Sequence, residues 1–150
     1  MKKILVLSIV FAATFCLMGA AVRNLSGVWK LNGPKSDYGK FPAPLSVTRK
    51  ITYNDSKLLL STTQTGPQGD VTRDLAYTTD GKESANGDSK GTAQWIGDKL
   101  MIESSREFQG ATLKQKEIWT LSADGKTLTV DSHVSIPTGE FDVKQVFDRQ

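Results

Sequence analysis

Three arginines fall in the same alternating phase as large apolar side chains. Arg49 shares its phase with Val47, Ile51 and Tyr53, Arg73 with Val71, Leu75 and Tyr77, and Arg106 with Leu100, Ile102, Ser104 and Phe108. Gln115 and Glu117 run in phase with Leu113, Trp119 and Leu121, and Gln145 with Phe141, Val143 and Phe147. An unpaired charge in an apolar interior is costly, so a simple packed core would not carry these residues on its inner faces. A guanidinium fork recognises a carboxylate or phosphate through paired N–H donors. The pattern therefore predicts a partly polar cavity, with apolar walls for the body of a ligand and arginines for its acidic end. The candidate ligand-binding set is Arg49, Tyr53, Arg73, Tyr77, Trp95, Ile102, Arg106, Glu117, Trp119 and Phe147, with Arg49, Arg73 and Arg106 as anchors. The competing structural account pairs Glu117 with one arginine and lets the others reach solvent at the rims on their long stems.

Catalytic constellations are missing from the sequence. The single histidine, His133, falls in the outward phase of its segment, which fits a solvated residue better than a general base. No serine lies in a Gly-x-Ser-x-Gly elbow, and no second histidine is available for a triad. The only cysteine, Cys16, leaves a zinc site without its usual ligands. Glu103 with Glu107, and Asp131 with Asp142, read as solvated carboxylates. Trp29, Trp95 and Trp119 lack the basic stripe of a nucleic-acid platform. The expectation is a non-enzymatic chain with no cofactor, no metal and no nucleic-acid partner, whose partner is a small apolar or amphipathic molecule.

The elements that would position these residues are short strands. Segments with period-two alternation cover residues 47–53, 58–65, 71–78, 94–96, 100–108, 111–121, 127–136 and 141–148, with 27–31 in front and a weak strand around 82–85. Turn residues separate them: Asn54-Asp55, Gly66 to Gly69, Asp80-Gly81, Gly97-Asp98, Gly110, Asp124-Gly125 and Thr138-Gly139. An Asp-Gly-Lys turn occurs twice, at Asp80 and Asp124. No window carries sustained helical spacing, so no helix longer than one turn is expected. Residues 32–45, broken by Pro34, Pro42 and Pro44, read as a loop whose Tyr38, Phe41 and Leu45 tuck against the sheet. The polar stretch 86–91 reads as a mobile connection. Eight to ten strands without covering helices must bury one face, and closure also removes the sheet edges. The predicted fold is all-β: an antiparallel up-and-down meander of eight to ten strands closed into a single barrel.

The N-terminus has the form of a secretory signal peptide: Lys2 and Lys3, an apolar run from Ile4 to Met18, then Gly19, Ala20 and Ala21. Cleavage before Val22 divides the chain into a signal peptide, 1–21, and one barrel domain, 22–150, secreted or periplasmic. The run is short for a membrane span and is followed by small residues, so no span is expected in the mature chain. Cleavage also removes Cys16, so no disulfide can form in the exported protein. It removes Lys2 and Lys3 too, which brings the formal charge of +3 close to neutrality and leaves no electrostatic footprint for nucleic acid.

Leu25-Ser26-Gly27-Val28-Trp29, just behind the mature N-terminus and ahead of the meander, carries Gly-x-Trp. This resembles the lipocalin and fatty-acid-binding (calycin) barrels, where that motif opens the first strand. The resemblance implies that Trp29 plugs the closed end of the barrel and that Gly27 allows close chain crossing. Avidin-like barrels share the opening. The chain departs from these families in lacking a Thr-Asp-Tyr motif, a cysteine pair, a C-terminal helix and a helical lid after the first strand. The Arg-x-Tyr found near the C-terminus of the fatty-acid-binding group is replaced by Lys144-Gln145-Val146-Phe147. Two readings follow: a secreted carrier of a small apolar or amphipathic, anionic ligand, or a filled barrel that acts through its loops as an inhibitor or envelope interaction module.

Overall fold

The computed structural model describes residues 24–150; the signal-peptide and cleavage-site expectations fall on residues outside that range. Ten antiparallel strands run in chain order: β1 (Gly27–Leu31), β2 (Ser46–Asn54), β3 (Lys57–Gly66), β4 (Gly69–Thr78), β5 (Ser84–Asn86), β6 (Ser89–Ile96), β7 (Lys99–Phe108), β8 (Ala111–Leu121), β9 (Thr127–Ile136) and β10 (Gly139–Arg149). They form one sheet in the order β4-β3-β2-β1-β10-β9-β8-β7-β6-β5, a meander curled into a nearly closed barrel. The all-β barrel expected from the alternation is what the chain forms. Among the described residues the only helix is the 3-10 turn Gly33–Lys35, and no helix is long and apolar enough to cross a membrane.

Tight turns set the register. Asp55 and Ser56 both adopt positive φ, as do Gln109 and Gly110, the handedness that a two-residue hairpin needs to match strand twist. The two Asp-Gly-Lys turns are built alike. Thr78 Oγ1 donates to Asp80 (2.8 Å) and Ser122 Oγ to Asp124 (2.6 Å), while the amides of Lys82 and Lys126 donate to the same carboxylate oxygens. These donors hold both carboxyls below their ordinary range.

The meander gives the barrel two unlike ends. At the closed end, beside turns 55–56, 97–98 and 123–125, inward side chains pack solidly: Trp29, Leu58, Leu100, Trp119, Leu128 and Phe147 are all fully buried. Each such side chain contributes about 1.5–3 kcal/mol by leaving water. Trp29 sits at the bottom, its Nε1 donating to the Leu25 carbonyl at 2.9 Å. Arg149 stacks over its ring at 4.2 Å and donates to the carbonyls of Gly125, Ser26 and Asn24. Gly27, at φ +143°, leaves room for that guanidinium; a Cβ there would meet Arg149 Nη1 at 2.9 Å.

At the open end, residues 32–45 form the predicted loop, and it is pinned. Asp37 and Lys144 exchange backbone hydrogen bonds, Phe41 packs on Phe141 at 4.4 Å, and Gln145 Nε2 donates to the Tyr38 hydroxyl at 2.9 Å. Leu45 does not tuck in and stays 74% exposed. The stretch 86–91 is a hairpin rather than a free connection: Asn86 pairs with Ser89, and Gly91 lies so close to β7 that a Cβ would overlap the Glu103 carbonyl.

One seam has no continuous ladder. Between β4 and β5 the side chain of Asn86 acts as a surrogate peptide, accepting from the Ala76 amide at 2.6 Å and donating to its carbonyl at 3.0 Å. Arg73 Nη2 meets Asp88 at 3.2 Å across the same seam, and an isolated bridge joins Asp80 to Gln94 lower down.

Candidate functional site

A cavity of about 800 Å³ occupies the upper half of the barrel and opens at the mouth, within the roughly 300–1,000 Å³ range of small-molecule sites. Register places its walls. Arg49, Thr62 and Arg73 lie side by side across β2, β3 and β4. Ser104 and Gln115 are neighbours on β7 and β8, and Arg106 faces Ser89 and Leu113 nearer the β7–β8 turn. Val47, Val71, Leu75 and Leu113 supply the apolar lining, and Gln64 and Gln145 add further polar groups.

Of the ten residues predicted from sequence, Arg49, Arg73, Tyr77, Arg106 and Glu117 line this cavity. The other five lie beneath it. Ile102, Trp119 and Phe147 belong to the packed core, against which Tyr53 and Trp95 rest. Trp95 Nε1 donates to the Tyr53 hydroxyl at 3.0 Å, and that hydroxyl lies 3.3 Å from Thr79 Oγ1. Trp119 and Phe147 remain tied to the site through Arg49, whose guanidinium is 4.9 Å from each ring centroid.

Arg49 forms part of the cavity floor and is only 8% exposed. Its guanidinium lies against the Trp119 and Phe147 rings. Nε donates to Thr62 Oγ1 at 3.2 Å, but Nη1 is buried without an acceptor. A buried donor left unmet costs about 1–3 kcal/mol. Burial pushes this guanidinium below its ordinary pKa, opposed by the fields of Glu117 and Tyr38, and an arginine remains charged in any case. Glu117 is tied to its own wall: it accepts from Gln115 Nε2 at 2.8 Å and Trp119 Nε1 at 2.9 Å, with Ser132 Oγ at 3.5 Å. Burial, reinforced by Glu117, raises the Tyr77 phenol above its usual value. The Tyr38 phenol is raised as well, chiefly by burial.

The two upper arginines differ. Arg73 is paired with Asp88. Arg106 has no carboxylate partner among the described residues and stacks on Phe108 at 5.4 Å. Thr62, Gln64, Gln115 and Gln145 also line the cavity but were outside the predicted set. The signal for the first two lay in counting alternate positions back from the Asp55-Ser56 turn: Leu58, Leu60, Thr62, Gln64.

The chain matches no protein-family model and no curated protein sequence. Solved structures resemble it over nearly their whole length. One is a zebrafish ileal bile acid-binding protein complexed with cholic acid, with TM-score 0.54 and 21% identity, covering 83% of this chain and 98% of that one. The fold is that of the calycin barrels. A second calycin neighbour, the REP1-NXSQ fatty acid transporter, has TM-score 0.58 and 15% identity over 85% and 97% of the two chains. A fatty acid-binding protein from Drosophila melanogaster brain has TM-score 0.52 and 16% identity over 81% and 95%. The loop 32–45, pinned to β10, follows the first strand as the proline-broken, non-helical segment read from the sequence.

Proposed function

We propose that this calycin barrel is a secreted, non-enzymatic carrier that holds one small amphipathic, anionic molecule in its upper cavity. The observation that carries the reading is an 800 Å³ space lined by Arg49, whose buried Nη1 has no acceptor. A filled barrel would have closed that space and given the guanidinium its partners, as Arg149 has at the other end. The neighbouring proteins named above bind or transport lipid-like acids, which supports the same class of ligand. Export is supported by Lys2, Lys3 and the apolar run to Met18.

The test is native mass spectrometry of the chain exported by its host, followed by solvent extraction. A mass above the polypeptide that disappears on extraction and resolves to one class of organic acid is the expected result. A bare polypeptide that also takes up neither dodecanoate nor cholate would transfer the function to the loops at the mouth.

A further inference from the structure

The cavity's cations make different demands at different depths. Arg73 is answered by Asp88. Arg49, on the floor, is 8% exposed, gives Nε to Thr62 Oγ1 and has no acceptor for Nη1. Arg106 lies two residues before the end of β7, at the mouth, half-buried and with no carboxylate partner among the described residues; what it lacks is an anion. Val47, Leu75, Val71 and Leu113 line the same space with apolar surface.

We propose that the ligand is two-headed: an apolar spacer with an oxyanion held at the mouth by Arg106 and a second, hydrogen-bond-accepting oxygen at the far end, received on the floor by Arg49. The chemical class is an ω-oxygenated acid. This rests on the carrier reading above and adds to it the second oxygen. An ordinary alkanoate satisfies only one of the two sites. Whichever way it enters, it leaves either the floor donor or the mouth cation unanswered. A hydrogen bond to a charged group is worth roughly tenfold or more in affinity.

The test is calorimetric titration of the full mature barrel with dodecanoate, ω-hydroxydodecanoate, dodecanedioate and dodecanol. The expected result is that ω-hydroxydodecanoate binds at least tenfold tighter than dodecanoate, with dodecanol the weakest of the four. Arg49→Met should bring the two monoacids to equal affinity. Arg106→Gln should weaken both about tenfold and preserve their ratio. Dodecanedioate also exceeding dodecanoate supports the proposal; its rank against the hydroxy acid tells whether the floor prefers a charged or a neutral oxygen. Equal binding of dodecanoate and ω-hydroxydodecanoate, or a ratio that survives Arg49→Met, overturns the two-headed ligand while leaving the carrier reading intact. Failure of every acid to bind overturns both. If Arg49→Met does not fold, the wild-type series and Arg106→Gln still decide the matter.

Discussion

Arg149 and Arg49 are both stacked on tryptophan, and they have opposite meanings. Arg149 lies 4.2 Å from the Trp29 ring centroid, and Nε, Nη1 and Nη2 each reach a backbone carbonyl. Arg49 lies against both Trp119 and Phe147, makes one side-chain hydrogen bond through Nε, and leaves Nη1 buried with no acceptor. The first is a rivet that joins residues 24–26 and the end of β10 to the 122–126 connection. The second rests against aromatic surface in the floor of the cavity. A buried arginine is read by its unused donors and not by its burial or its stacking.

Removing the rivet should have the largest effect on stability. Arg149→Ala deletes three charge-assisted hydrogen bonds and a cation–π contact, and is expected to cost about 3 kcal/mol or more in urea unfolding. Dodecanoate binding to the fraction that stays folded should be little changed. Arg49→Met should show the reverse pattern. Replacing a buried, incompletely satisfied charge with an apolar side chain of similar length is often neutral or stabilising. Unfolding should therefore move by less than about 1 kcal/mol, while affinity for acidic amphiphiles bearing a second oxygen falls about tenfold. A large stability loss with unchanged affinity would make Arg49 a second rivet.

Asn86→Ala tests the seam between the two halves of the wall. It removes both surrogate-peptide hydrogen bonds to Ala76 and should cost about 1–2 kcal/mol. Hydrogen exchange should quicken at the Ala76 amide while the β9–β10 ladder stays protected. The smallest effect belongs to the outer face. His133 is exposed, with Nδ1 2.7 Å from Asp142 and Nε2 3.6 Å from Glu140. The Asp142 hydrogen bond, first among the causes, raises its pKa above the ordinary value. A raised folded-state pKa contributes stability that is complete below the unfolded value and is lost as pH rises through the folded one. Thermal scans across the histidine range should show a slight decline toward alkaline pH that His133→Gln abolishes.

Alternation assigned faces well and depth not at all. Arg49, Arg73, Arg106 and Glu117 were placed on the inner face by parity, and the structure puts them on the cavity wall. Tyr53, Ile102, Trp119 and Phe147 share those faces yet lie in or against the packed half. Period two says which side of a sheet a residue occupies, whereas its height depends on the stagger between strands, which no single segment encodes. A height signal was nevertheless present. Beside the closed-end turns the inward residues are apolar, as with Tyr53, Leu58, Leu100, Leu121 and Leu128. Toward the opposite turns polar residues such as Gln64, Arg106 and Gln115 join them. The roles of Asn86 and Arg149 are not legible in the sequence because their partners are backbone atoms of other segments, at Ala76 and at Asn24 and Ser26, and side-chain patterning carries no trace of such bonds.

The central claim, that Arg49 faces a ligand while Arg149 holds the fold, is tested most directly by side-chain NMR. The Nε–H signals of the ¹⁵N-labelled arginines would be followed while ω-hydroxydodecanoate is added. A saturable shift of the Arg49 signal with the Arg149 signal unmoved is the expected result. Saturable binding that leaves Arg49 unshifted, or that moves Arg149 instead, would contradict it.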